Sequence, residues 1–167
     1  MTNQNRNEQL KTINDMVKDV KFAMLTTVTS EGHLHACPMT TSDFNLETKE
    51  IWFIGDARTE TVKDIKNNPQ VNLAYTSNNA KDYLSINGKA QLINDPVKLE
   101  ELWSAVYNAF FENGKEDKNV QLIKVIPNGA QYWLSGNAIV NMFKMTAAAV
   151  GGEKIADSLG ENSSIEF

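Results

Sequence analysis

The side chains most suited to reactive chemistry are Cys37, His33 and His35, the only cysteine and the only histidines in the chain. Cys37 would serve as a nucleophile only with a base beside it to draw off the thiol proton. Nothing in the sequence places such a base, and a lone cysteine usually packs as a small hydrophobe. His33 and His35 stand two apart on a strand-like stretch, so they share one face. Such a pair can begin a metal site, but no further histidine or cysteine follows to complete one. They read as polar residues on a half-exposed strand, and no metal is expected. Walker loops, Gly-x-Gly-x-x-Gly turns, Gly-x-Ser-x-Gly elbows and Cys-x-x-Cys pairs are all missing. Residues 52–63 say more. A strand ends, Gly55 permits a turn, and a helix begins near Thr59. A helix N-terminus offers free N–H groups and a positive dipole end. Thr59 and Thr61 add hydroxyls there, and Arg58 and Lys63 add charge. The stretch reads equally as a phosphate cradle or as an ordinary capped helix with a solvated basic face.

The elements that must position these residues follow from periodicity. Leu10, Ile13, Met16, Val17 and Val20 recur at helical spacing and predict an amphipathic opening helix. Residues 22–29 and 33–41 are rich in strand formers and flank a turn at Ser30-Glu31-Gly32. Residues 43–49 are polar and predict a loop, and 50–54 predict a third strand. A short helix over 60–66 stops at Asn67-Asn68-Pro69. Strands follow over 71–76 and 83–93, with Gly88 marking a bulge or bend. Asp95-Pro96 opens a helix whose stripe of Leu99, Leu102, Trp103, Val106, Tyr107, Phe110 and Phe111 runs on to Gly114. Pro127-Asn128-Gly129 predicts a hairpin turn between strands 120–126 and 130–134. A last helix is expected over about 139–150, then a polar, acidic tail. Short turns between the first strands favour antiparallel pairing. This density of strands suggests a barrel with helices outside it.

Composition excludes whole classes. The net charge of -5 and scattered basic residues suit a nucleic-acid backbone poorly. Hydrophobic residues make up 41%, enough for a core, yet no apolar run is long enough to span a bilayer. The polar N-terminus predicts no secretory signal, and the single cysteine permits no internal disulfide. The expectation is a cytoplasmic protein with one domain over residues 1–167.

The succession of Pro38-Met39-Thr40-Thr41, Ile51-Trp52-Phe53-Ile54, the helix over 59–69, Val71-Asn72-Leu73 and residues 83–90 resembles the general stress protein 26 family. That family lies among the pyridoxamine 5'-phosphate oxidase-like, FMN-binding split barrels. Glu101-Leu102-Trp103, Phe110-Phe111, Tyr132-Trp133 and Leu159-Gly160-Glu161-Asn162 extend the likeness. It runs from Leu10 to the end and rests on order and spacing rather than on one motif. The resemblance implies a mainly β fold with flanking helices: a split β-barrel of about seven largely antiparallel strands. It also implies a homodimer with flavin at the interface. By position, Pro38, Met39 and Thr40 would line the flavin ring. Trp52, Phe53 and Ile54 would support the ring and ribityl chain through strand backbone. Thr59, Thr61, Val62 and Lys63 would surround the phosphate. Trp103 and Trp133 would lie near the cleft, although Trp103, inside an apolar stripe, suits core packing.

Two departures stand out. Cys37 occupies a place where the family usually has Arg. Thr59-Glu60-Thr61 replaces a usual Ser-x-Lys. Losing a charge-assisted phosphate contact costs on the order of 1.5–3 kcal/mol. The tail also carries no Arg or His after residue 157, which argues against true pyridoxamine 5'-phosphate oxidase activity. The function implied is a flavin-binding, oxidoreductase-like general stress protein, with FMN as cofactor and FAD as the alternative. No catalytic residue is named. Two other readings stand beside it. One is a non-catalytic module that holds a flavin or another phosphorylated ligand. The other is a dimeric interaction protein that has lost tight flavin binding. No nucleic acid and no membrane is expected as a partner.

Overall fold

The computed structural model describes residues 3–45, 48–78, 81–134 and 161–166. Helix α1 (Asn3–Val20) opens the chain and buries Ile13, Met16 and Val17, the stripe that its periodicity predicts. Strands β1 (Phe22–Val28), β2 (Leu34–Asn45) and β3 (Glu50–Asp56) follow, then α2 (Glu60–Asn67), β4 (Gln70–Thr76) and β5 (Tyr83–Ile93). Helix α3 (Pro96–Leu102) precedes the long β6 (Val120–Leu134), and β7 (Glu161–Glu166) closes the described chain. Among the described residues no helix is long and apolar enough to cross a membrane.

The strands form one antiparallel sheet in the order β3-β2-β1-β4-β5-β6-β7. Pairing of β3 with β6 closes the first six into a barrel. This is a split barrel, mainly β with flanking helices. Strand β6 pairs with β5 along its length, while its other edge is shared: residues 120–125 pair with β3 and residues 129–134 with β7. Alternating side chains fill the interior, where Leu25, Phe53, Leu73, Ile86, Ile123 and Val125 are fully buried. A second apolar cluster of Trp52, Ile54, Tyr107, Phe111 and Leu122 lies on the other face of β3 and β6.

Four local expectations are corrected. Residues 43–45 belong to β2 rather than to a loop, because Asp43, Phe44 and Asn45 pair with Trp52, Ile51 and Glu50. The hairpin at Pro127-Asn128-Gly129 does not exist. Asn87 pairs with Gly129 and Gly88 with Pro127, so Asn128 is the extra residue of a bulge within one strand. A proline lacks the amide that a ladder needs, and a bulge tolerates that lack as a turn would. The stripe over 96–114 is not one helix. α3 stops at Leu102, Trp103 and Ser104 are extended, and a 3₁₀ turn covers Ala105–Ala109. Tyr107 would neighbour Trp103 on an unbroken helix too, at i,i+4, but Phe111 would stand about 12 Å further along. The break brings the Phe111 ring to 5.9 Å from Trp103, beside Tyr107 at 5.4 Å, so aromatic packing overrides helix propensity. Finally, the polar tail contributes β7, with Ile165 buried opposite Ala130. The helix expected over 139–150 lies outside the described residues.

Gly88 is required at the bulge. A Cβ there would stand 2.5 Å from the Ile126 carbonyl oxygen and 3.1 Å from Pro127 Cα, both backbone atoms. We expect Gly88→Ala to cost at least about 2 kcal/mol in urea denaturation. Gly32→Ala, at φ +84° but with nothing within 4 Å, should cost only about 1 kcal/mol.

Candidate functional site

The cleft begins where two strands part. β2 pairs with β3 from Asn45 back to Thr41, which faces Phe53, with a register shift between Thr41 and Asp43. Beyond that point Ile54, Gly55 and Asp56 pair only with β6, while residues 34–40 of β2 pair only with β1. Among the described residues, the edge of β2 facing β3 therefore has no strand partner over residues 34–40. Two hydrogen bonds hold the point of divergence. Thr41 Oγ1 lies 2.9 Å from the Tyr75 hydroxyl, and Ser42 Oγ lies 2.8 Å from the Tyr107 hydroxyl.

Two adjoining hollows fill the gap. The larger, about 520 Å³, runs from Pro38 and Met39 past Gly55 and Ile123 to the first turn of α2 at Thr59–Thr61. The smaller, about 260 Å³, adds Thr40, Ile54, Tyr107, Phe110 and Phe111. Both are bounded by Pro38, Met39, Gly55 and Asp56, so they form one groove. Gly55 leaves room here: a Cβ would meet Ile123 Cδ1 at 3.2 Å and Met39 Cε at 3.5 Å.

Helix α2 sets the polar end of the groove. Thr59 caps it: its hydroxyl accepts from the Val62 amide at 3.4 Å and donates to the Asp56 carbonyl at 2.7 Å. Thr61 is buried, its hydroxyl 3.1 Å from Cys37 Sγ. Arg58 reaches back to Asp56, with Nε 3.0 and 3.1 Å from the two carboxylate oxygens and Nη2 2.5 Å from Oδ2. Those hydrogen bonds, together with Arg58's charge, hold the Asp56 carboxyl below the usual range and raise the guanidinium above its own. Asp64, one turn further along α2, is buried. It accepts from Thr27 Oγ1 at 2.7 Å and lies 3.2 Å from His35 Nδ1.

The residues expected at a flavin site separate into two groups. Pro38, Met39, Thr40, Ile54, Thr59 and Thr61 line the groove. Trp52, Phe53, Val62 and Lys63 do not. Trp52 lies in the second cluster with Lys98 and Lys124 over its ring, and Phe53 and Val62 are buried in the barrel core. Lys63 is exposed and bonded to Glu60 at 2.7 Å. Trp103 packs on Tyr107 and Phe111, and Trp133 is part-exposed beside Tyr83 across the β5–β6 pair. Sequence reasoning left out Gly55, Asp56, Ile123, Tyr107, Phe110 and Phe111. For the aromatics, the wrongly continuous helix hid the signal. Ile123 and Gly55 carry none, since only the parting of strands brings them to the groove.

The sequence model of the pyridoxamine 5'-phosphate oxidase-like family matches residues 8–157. The chain belongs to that family. Solved structures agree with the fold. One is a protein from Clostridium acetobutylicum related to general stress protein 26 of B. subtilis. It matches with a TM-score of 0.71 at 16% identity, over 96% of this chain and 95% of its own. General stress protein 26 from Bacillus anthracis str. Sterne gives 0.67 at 22%, over 75% and 93%. The general stress FMN/FAD binding protein from Xanthomonas citri gives 0.69 at 25%, over 79% and 92%. No curated protein matches the sequence at a significant level.

Burial pushes the Tyr75 phenol from 10.0 up to about 12, although its Thr41 hydrogen bond works the other way. The folded chain thus favours the neutral phenol. That stabilisation is complete below about pH 10 and is lost as pH rises through about 12. We expect stability to fall across this window by an amount on the order of 2 kcal/mol. Tyr75→Phe should flatten the slope in denaturation curves recorded against pH.

Proposed function

We propose that the groove between β2 and β3 holds the ring of a flavin, FMN or FAD, and that the protein is a flavin-dependent, oxidoreductase-like general stress protein. The observation that carries this reading is the parting of β2 from β3 at Thr41. It leaves a gap along one wall of which the strand edge has no strand partner among the described residues. Ring polar atoms need hydrogen-bonding partners once water is excluded. The edge of β2 over residues 34–40 offers backbone donors and acceptors for them. Met39, Ile54 and Ile123 supply an apolar floor, and Tyr107, Phe110 and Phe111 an aromatic shelf. The name of the Xanthomonas citri relative, an FMN/FAD binding protein, supports the same ligand class.

A bound flavin supplies the electron-transfer chemistry, and the chain supplies shape, orientation and exclusion of water. The second partner in this reading is another copy of the chain. Phe22 and Met24 on β1 are 63% and 43% exposed, and Leu34 on β2 is 77% exposed. Register places these residues and Pro38 on one outer face, next to the groove. An apolar face of this kind is what a homodimer interface would cover.

Purified chain titrated with FMN and FAD should quench their fluorescence, and NADH or NADPH should bleach the bound flavin. A chain that binds neither would return the weight to an interaction module. Gly55→Val should weaken binding at least tenfold, on the order of 1.4 kcal/mol, with circular dichroism unchanged, because its side chain would crowd Ile123 and Met39 in the groove wall. Phe22→Glu combined with Met24→Glu should convert a dimer to a monomer in sedimentation velocity.

A further inference from the structure

The cations at and beside the polar end of the groove are already engaged, Arg58 on its wall and Lys63 outside it on the exposed side of α2. Arg58 is clamped by Asp56 through Nε and Nη2, and Lys63 is bonded to Glu60 at 2.7 Å. Asp64 lies beneath on the same helix, so over residues 56–64 two cations stand with three carboxylates. The hydroxyls are engaged as well. Thr59 gives its proton to the Asp56 carbonyl at 2.7 Å, and Thr61 is paired with Cys37 Sγ at 3.1 Å. What remains for an anion is the pair of first-turn amides of Glu60 and Thr61, which make no hydrogen bond among the described residues.

A phosphate monoester carries a charge of about -1.5 to -2 at neutral pH. It binds strongly where cations or charge-assisted donors are free to meet it. Here it would compete with Asp56 for Arg58 and with Glu60 for Lys63. The Glu60 carboxylate, at the first position of α2, already supplies the anion that a helix N-terminus attracts. The ring end of the groove suffers no such competition, being lined by Pro38, Met39, Ile54 and Ile123.

We infer that the groove recognises the ring and ribityl chain and gains little from the terminal phosphate, and that Glu60 sets this specificity. Riboflavin, the uncharged flavin, therefore binds about as well as FMN. The inference rests on the flavin reading of the groove and names the ligand class within it.

The test is a fluorescence-quenching titration of the full chain with riboflavin and with FMN, repeated on Glu60→Gln. Glu60 is exposed on the helix surface, and glutamine keeps its size. For the unaltered chain, the two dissociation constants should agree within about tenfold. In Glu60→Gln, Lys63 is released, and the preference for FMN over riboflavin should rise about three- to tenfold. FMN bound more than about a hundredfold tighter than riboflavin by the unaltered chain would overturn the inference while leaving the flavin reading intact. A ratio that Glu60→Gln does not move would overturn the role of Glu60. Failure of both flavins to bind would overturn the flavin reading, and this inference with it.

Discussion

The structure turns on the end of one strand pairing. β2 and β3 are hydrogen-bonded neighbours up to Thr41 and Phe53, and then each keeps only its other partner. A barrel cannot stay closed on both sides of such a point. Strand β6 resolves the conflict by lending one half of its edge to β3 and the other half to β7. The groove is thus a consequence of how strand edges are shared, not a hollow worn into a finished core. The parting follows directly on the register shift between Thr41 and Asp43, the kind of irregularity that bends a strand.

The parting point also carries the hydroxyls of Thr41 and Ser42, which need partners where they are part-buried. Tyr75 and Tyr107 provide them from opposite sides, one out of the barrel core and one out of the second aromatic cluster. Both phenols bond a hydroxyl next to the shift, so the groove is tied to both apolar clusters. Trp52 anchors the second cluster. Its indole donates to Glu50 at 3.3 Å, and the ammonium groups of Lys98 and Lys124 lie 5.4 and 5.6 Å from its ring. The Trp52 side chain thus serves the scaffold. Alternation along β3 sends the Phe53 side chain into the barrel and those of Trp52 and Ile54 to the other face, so any contact that all three make with one ligand runs through strand backbone.

Much of the architecture was legible because it depends on periodicity. The α1 stripe, the alternation of β4 and β5, the Thr59 and Asp95 caps and the break at Asn67-Asn68 all follow from short-range rules. Errors arose where one local signal has two uses. Pro127-Asn128-Gly129 suits a turn and a bulge equally, and only the pairing of β5 across from it selects the bulge. Residues 103–111 carry a helical stripe, but the surface they cover rewards a bent path. The polar tail shows no strand signal strong enough to reveal β7, whose place depends on the half-edge that β6 leaves free.

By itself, the sequence determined the family, the barrel class, and the positions of Pro38, Met39, Thr40, Ile54, Thr59 and Thr61, since these follow from motif order along consecutive elements. Tertiary structure alone decided which neighbours complete the groove and what its charges are free to do. Lys63 and Arg58 look like phosphate ligands when counted along the chain. Folded, each meets a carboxylate within hydrogen-bonding distance. A charge is written in the sequence, but its availability depends on partners that only the fold brings near.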